Sequence, residues 1–111
     1  MRLPYYSGDG VPLILAPMAG VSEAPFRQIC RRHGADILMT EFLSAEAIRR
    51  GIRKTLEGAE FEPVERPVGV QLFGGDPEHL GEAARMVADW KQPDFIDLNF
   101  GCPVNKVVAK N

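Results

Sequence analysis

Residues Leu13 to Ser22 read LILAPMAGVS, a short apolar run followed by a turn. The run predicts a strand, Leu13–Ala16, and Ser22 predicts the cap of a helix that tolerates Pro25 in its first turn. The turn decides between two architectures. A doubly wound sheet with a dinucleotide site would place GxGxxG after its first strand, and Pro17-Met18-Ala19-Gly20-Val21-Ser22 has a single glycine. A (β/α)8 barrel instead carries its chemistry on strand ends and on the loops just after them.

Outward from this turn the chain keeps a rhythm. Phe26, Ile29, Cys30 and His33 fall on one helical face, and Gly34 is a plausible stop. Further strands are predicted at Asp36–Glu41, Val68–Leu72 and Phe95–Phe100. Between them, Ser44 can cap a helix from Ala45 to Arg50 that Gly51 interrupts. Asp76 followed by Pro77 opens another, with an apolar stripe of Leu80, Ala83, Ala84 and Val87. The order βαβαβαβ implies parallel strands joined by right-handed crossovers. The predicted class is α/β: four parallel strands alternating with helices, the N-terminal half of a (β/α)8 TIM barrel. A whole barrel takes about 250 residues, and this chain has 111, so residues 1–111 are expected to form one partial barrel domain.

Composition agrees with a soluble globular protein, at 45% hydrophobic and 25% charged residues. A net charge of −2 means that any nucleic-acid contact needs a local basic patch. The two cysteines, Cys30 and Cys102, are far apart, and no Cys/His spacing suggests a metal site. No apolar run is long enough for a secretory signal or a membrane span. The expected setting is cytoplasmic.

Side chains alternate along a strand. Val68, Val70 and Leu72 are expected to face the helices, as are Ile96 and Leu98, which turns Gly69, Gln71, Asp97 and Asn99 to the barrel axis. Gln71 and Asn99 then converge at one mouth. Two amides there can donate and accept, which suits a planar heterocycle with carbonyls and ring N–H groups; the alternative is that they satisfy buried backbone. Asp97, deeper, is expected to hold neighbouring backbone. Cys102 lies just past the last strand, where Gly101 allows close approach and Pro103 holds an extended conformation. It is a reagent or a filler; Cys30, on a helical stripe, reads as a filler.

Other charged groups carry less. Arg27, Arg31 and Arg32 read as a solvated helix face, and Arg49, Arg50, Arg53 and Lys54 as a solvated face or a phosphate contact. Glu41 sits at a strand end with a site role or a structural one. His33 suits a helix C-terminus, and His79 reads as surface.

At these residues the chain resembles the tRNA-dihydrouridine synthase family. The blocks are LAPMAGVSEAPFR (15–27), TEFLSAEA (40–47), VQLFGGDP (70–77) and IDLNFGCPVNKVV (96–108). The resemblance implies an FMN-binding (β/α)8 barrel followed by a helical tRNA-binding domain, and NADPH-dependent reduction of the uracil C5=C6 bond in tRNA. It implies that Pro17, Met18 and Ala19 lie against the flavin, that Gln71 hydrogen-bonds its ring, and that Asn99 approaches the uracil. It makes Cys102 the proton donor; a thiol with an ordinary pKa of about 8.5 suits an acid at neutral pH. The later flavin ligands and the helical domain would lie beyond Asn111, so the chain alone is expected to bind FMN weakly or not at all, to be inactive, and to self-associate through open strand edges. Competing readings are an FMN barrel acting on a free pyrimidine, such as a dihydroorotate or dihydropyrimidine dehydrogenase, and a non-catalytic half-barrel.

Overall fold

A computed structural model describes residues 3–101. Its elements are α1 (Ala24–Arg32), β1 (Leu38–Ser44), α2 (Ala45–Arg49), α3 (Arg53–Gly58), a 3-10 turn (Pro63–Glu65), β2 (Val68–Phe73), α4 (Pro77–Lys91) and β3 (Phe95–Leu98). The strands form one parallel sheet in the order β1-β2-β3. This is the predicted α/β layering, with three strands among the described residues instead of four. The run Leu13–Ala16 contributes only an isolated parallel bridge, Ile14 to Ile37. The ladder-facing donors of the run are Leu13, Leu15 and position 17; Leu13 N donates to Asp36 Oδ2 instead of to backbone, Leu15 N donates to Ile37 O, and Pro17 has no N–H to carry the ladder on. Leu13 and Ile14 stay exposed.

The central strand β2 is buried at every position. One face packs Val70 and Leu72 into a core with Leu43, Ala45, Ile48, Ala59, Ala83 and Val87. Leu80 and Ala84 complete the predicted stripe of α4 from partly buried positions. Ser44 Oγ accepts from Ala47 N at 3.2 Å, and Asp76 Oδ1 accepts from Glu78 N and His79 N at 2.8 and 3.1 Å, so both predicted caps are in place. Gly51, at φ 70°, takes the left-handed turn that separates α2 from α3. On the opposite face of the sheet a Cβ on Gly69 would lie 2.2 Å from the Phe95 ring, so that ring packs directly over the glycine. Tyr5 stacks on Phe95 at 4.5 Å between centroids.

Two expectations for α1 are corrected. Ser22 does not cap it; the cap position is Glu23, and Ser22 Oγ instead accepts from Met18 N at 2.9 Å and donates to Met18 O at 3.1 Å. The hydroxyl is spent closing the loop before the helix. Nor are the helix arginines a solvated face. Arg27 is 2% exposed, while Ile29 of the expected apolar stripe is half exposed. Arg27 Nε donates to Glu65 Oε1 at 2.6 Å, and its other nitrogens donate to Ser22 O and Glu60 O at 2.8 and 3.0 Å. Arg31 donates to Asp36 O and Glu65 O at 2.7 and 2.8 Å. Glu65 is fully buried and also accepts from Glu62 N and Gln28 Nε2. Of the three arginines, Arg32 alone is exposed.

A buried ion pair broken on one side leaves an uncompensated charge, which costs about 3–5 kcal/mol. Glu65→Ala is expected to destabilise the chain on that scale in equilibrium denaturation. The double variant Arg27→Met/Glu65→Leu, which removes both charges, should recover most of the loss.

Candidate functional site

The polar side chains of the helix-free face gather where β2 and β3 end. Gln71 pairs in register with Asp97. Its amide nitrogen Nε2 donates to Asp97 Oδ2 at 2.6 Å and lies 3.7 Å from Met39 Sδ. Its Oε1 accepts from Asn99 Nδ2 at 3.2 Å, and Asn99 Oδ1 accepts from Gly101 N at 3.0 Å. Gln71 is 6% exposed, and Asp97 and Asn99 are partly exposed. The predicted convergence of Gln71 and Asn99 is therefore direct contact. Asp97 differs from expectation. Among the described residues it holds the Gln71 side chain and no neighbouring backbone, whereas Asp94 accepts from Val68 N at 2.9 Å.

The backbone at this site is tuned by an irregularity in β1. The β1–β2 register shifts between Met39 and Phe42. Thr40, fully buried there, turns its hydroxyl to accept from Gln71 N at 3.1 Å. Phe42 then stands opposite Gln71 and meets Phe73 edge-on at 5.2 Å.

Pro17, Met18 and Ala19 occupy the turn closed by Ser22, and among the described residues no hydrogen bond joins them to Gln71 or Asn99. Cys102, the predicted acid, lies outside the described residues. Cys30 is partly buried on α1. Glu41 borders a cavity of about 630 Å³ with Ser22, Arg27 and Lys54. Its Oε1 is shielded from solvent without a hydrogen-bond partner among the described residues. Sequence reasoning reaches neither the Asp97 contact nor this orphan oxygen. Inward parity places Asp97, but nothing in a sequence orients a carboxylate toward a particular amide.

A second cavity, about 720 Å³, lies beside the strand ends between Ser44, Arg50, Phe73, Gly74, Asp76 and His79. Gln71 and Asn99 do not line it. Its charges are matched internally. Glu46 pairs with Arg49, Arg50 and His79, Arg49 also with Glu82, and Arg53 with Glu57. The predicted basic cluster is thus largely neutralised, and His79, at the surface as expected, sets its Nδ1 2.9 Å from Glu46 Oε2. The Arg49 hydrogen bond, with help from Arg50 and His79, holds the Glu46 carboxyl below its ordinary range. The backbone N–H of His79, then that of Glu78, does the same for Asp76.

Among the described residues no helix is long and apolar enough to cross a membrane. The fold and these strand-end amides define a parallel α/β protein with a polar site at the carboxyl ends of its strands. Comparison with known proteins is more specific. A family model for dihydrouridine synthase (Dus) matches residues 14–111. The chain is 47% identical over 97 residues to a probable tRNA-dihydrouridine synthase of Aquifex aeolicus, covering 86% of this chain and 30% of that protein. It is 42% identical over 98 residues to tRNA-dihydrouridine synthase B of Pseudomonas aeruginosa, covering 88% of this chain and 29% of that protein. It is 43% identical over 103 residues to a tRNA-dihydrouridine(20/20a) synthase of Synechocystis, covering 90% and 29%. The chain belongs to the dihydrouridine synthase family, and it spans about 30% of the length of these curated relatives.

The Glu46 network makes a pH prediction. Glu46 and Asp76 both fold with lowered pKa values. Their contribution is therefore complete above the unfolded carboxylate range and is lost as pH falls through the folded values. Thermal stability should decline on acidification through that window, and Glu46→Gln should flatten part of the decline.

Proposed function

We propose that the protein carrying this chain reduces uridine in tRNA to dihydrouridine, with FMN as cofactor and NADPH as reductant. Family membership supports the reaction class. The observation that carries the site assignment is the contact between Gln71 and Asn99 at adjoining strand ends, two residues before Gly101-Cys102-Pro103.

The residues present fit a flavin. A buried amide and a partly exposed one, beside an aromatic pair, offer hydrogen bonds and apolar surface to a flat ring carrying carbonyls and N–H groups. Gln71 would bond the ring, and Pro17, Met18 and Ala19 would lie along it. Bound there, FMN supplies the hydride equivalent that the reduction requires.

The chain's own residues do the rest. Asn99 would orient the uracil by its polar edge. As C6 gains hydride, negative charge builds over C5 and the C4 carbonyl, and C5 needs a proton. Cys102 would donate it; a thiol stays protonated at neutral pH yet releases its proton readily. The acid role needs no activating base beside it. The target base has to leave its stack to reach the strand ends. Of the cations at 49–54, Lys54 is the one without an ion pair among the described residues, and it would meet a tRNA phosphate.

In the complete gene product, Cys102→Ala should retain FMN and tRNA affinity while dihydrouridine formation falls by about 10²–10⁴-fold, the scale of a lost general acid. Cys30→Ala, which removes a partly buried thiol from α1, should leave turnover nearly intact. Equal rates for wild type and Cys102→Ala would remove the thiol from the mechanism.

A further inference from the structure

Four groups on the helix-free face form one hydrogen-bonded chain. Gly101 N donates to Asn99 Oδ1, Asn99 Nδ2 to Gln71 Oε1, and Gln71 Nε2 to Asp97 Oδ2, at 3.0, 3.2 and 2.6 Å. Its two middle members are primary amides, whose oxygen and nitrogen ends have nearly the same shape. Its two ends are not symmetric. A backbone N–H only donates, and an ionised carboxylate only accepts. The shortest link is the one to the carboxylate, as expected for a charge-assisted bond.

We propose that Asp97 is a positioning residue that sets the orientation of both amides and so decides which hydrogen-bonding groups the site shows to a bound ring. The inference rests on reading these strand ends as the flavin and uracil site. With Asp97 accepting, Gln71 must turn its nitrogen to Asp97 and its oxygen toward Asn99. Asn99 must then turn its nitrogen to Gln71 and its oxygen to Gly101. One Gln71 N–H is taken by Asp97 and the other is directed by proximity to the Met39 sulfur, 3.7 Å away. What Gln71 has left is an acceptor lone pair. What Asn99 has left is one N–H and one lone pair. An acceptor next to a donor complements the imide edge of a pyrimidinedione, a ring N–H beside a C=O. That edge occurs on uracil and on the flavin ring system alike. Loss of the carboxylate would leave the Gly101 N–H as the one end that fixes the sense of the chain, and would loosen this pattern without removing any atom of Gln71 or Asn99.

The test is a cycle of Asp97→Asn, Gln71→Glu and the double variant in the complete gene product. Asp97→Asn keeps the side-chain shape and removes the acceptor-only end, so melting temperature without cofactor should fall. In the Gln71→Glu background the same change should raise it. The new amide at position 97 can donate to the acceptor-only carboxylate at position 71, where two carboxylates would repel. If Gln71→Glu alone does not fold, the double variant is required to. A purely packing role for Asp97 would give losses of the same sign in both backgrounds, and that result, or no effect in either, overturns the proposal.

Two further readouts locate the imide edge. Asp97→Asn should weaken FMN binding at least tenfold if the edge belongs to flavin, and slow dihydrouridine formation at saturating FMN at least tenfold if it belongs to uracil. Either loss supports the positioning role, and unchanged values for both contradict it. A wild-type protein that neither binds FMN nor forms dihydrouridine would sink the functional reading, while the melting temperatures would still judge the hydrogen-bonded chain.

Discussion

The hydrogen bond from Gln71 to Asp97 joins the ends of β2 and β3 on the side the helices do not cover. Everything at the candidate site follows from the need to satisfy a polar side chain in a strand buried at every position. A buried amide left without partners costs about 1–3 kcal/mol. Gln71 avoids that cost by reaching across to β3, and its backbone N–H is answered by the Thr40 hydroxyl from the other side. Three adjacent strands are thereby pinned at one level. The same rule operates just before β2, where fully buried Glu65 is matched by Arg27 and two further donors. The apolar core lies on the helix side of the sheet, so these polar sites do not interrupt it.

Much of this is readable in the chain. Alternation along 68–72 and 96–99 puts Val70, Leu72 and Ile96 against the helices and brings Gln71 and Asn99 together. Ser44 and Asp76-Pro77 announce two helix starts, since a cap is a local device and its residues are near neighbours. What stays hidden is either non-local or a competition between local signals. Arg27 reads as solvated because its partner, Glu65, is 38 residues away. Asp97 reads as a backbone partner because the amide it meets belongs to another strand, 26 residues away. Leu13–Ala16 has the composition of a strand, but the Asp36 carboxylate takes the Leu13 N–H on one side and Pro17 lacks a donor on the other, which leaves a single bridge. Ser22 has the right type and place for a cap and serves the preceding loop.

The basic stretch shows how structure changes the weight of a charge pattern. Arg49, Arg50 and Arg53 suggest affinity for phosphate when read along the chain. In three dimensions each meets a carboxylate from its own helix or a neighbouring one, and a cation so matched attracts a polyanion far less. That weak attraction accords with a chain whose overall charge is −2.

On the proposed function, the strand-end site would serve a uracil held in tRNA and not a free pyrimidine. The most direct measurement offers the complete gene product, with FMN and NADPH, an unmodified tRNA transcript alongside free uracil and dihydroorotate. Dihydrouridine should accumulate in the tRNA while the free pyrimidines stay unchanged. Turnover of a free pyrimidine with no dihydrouridine in the tRNA would contradict the account.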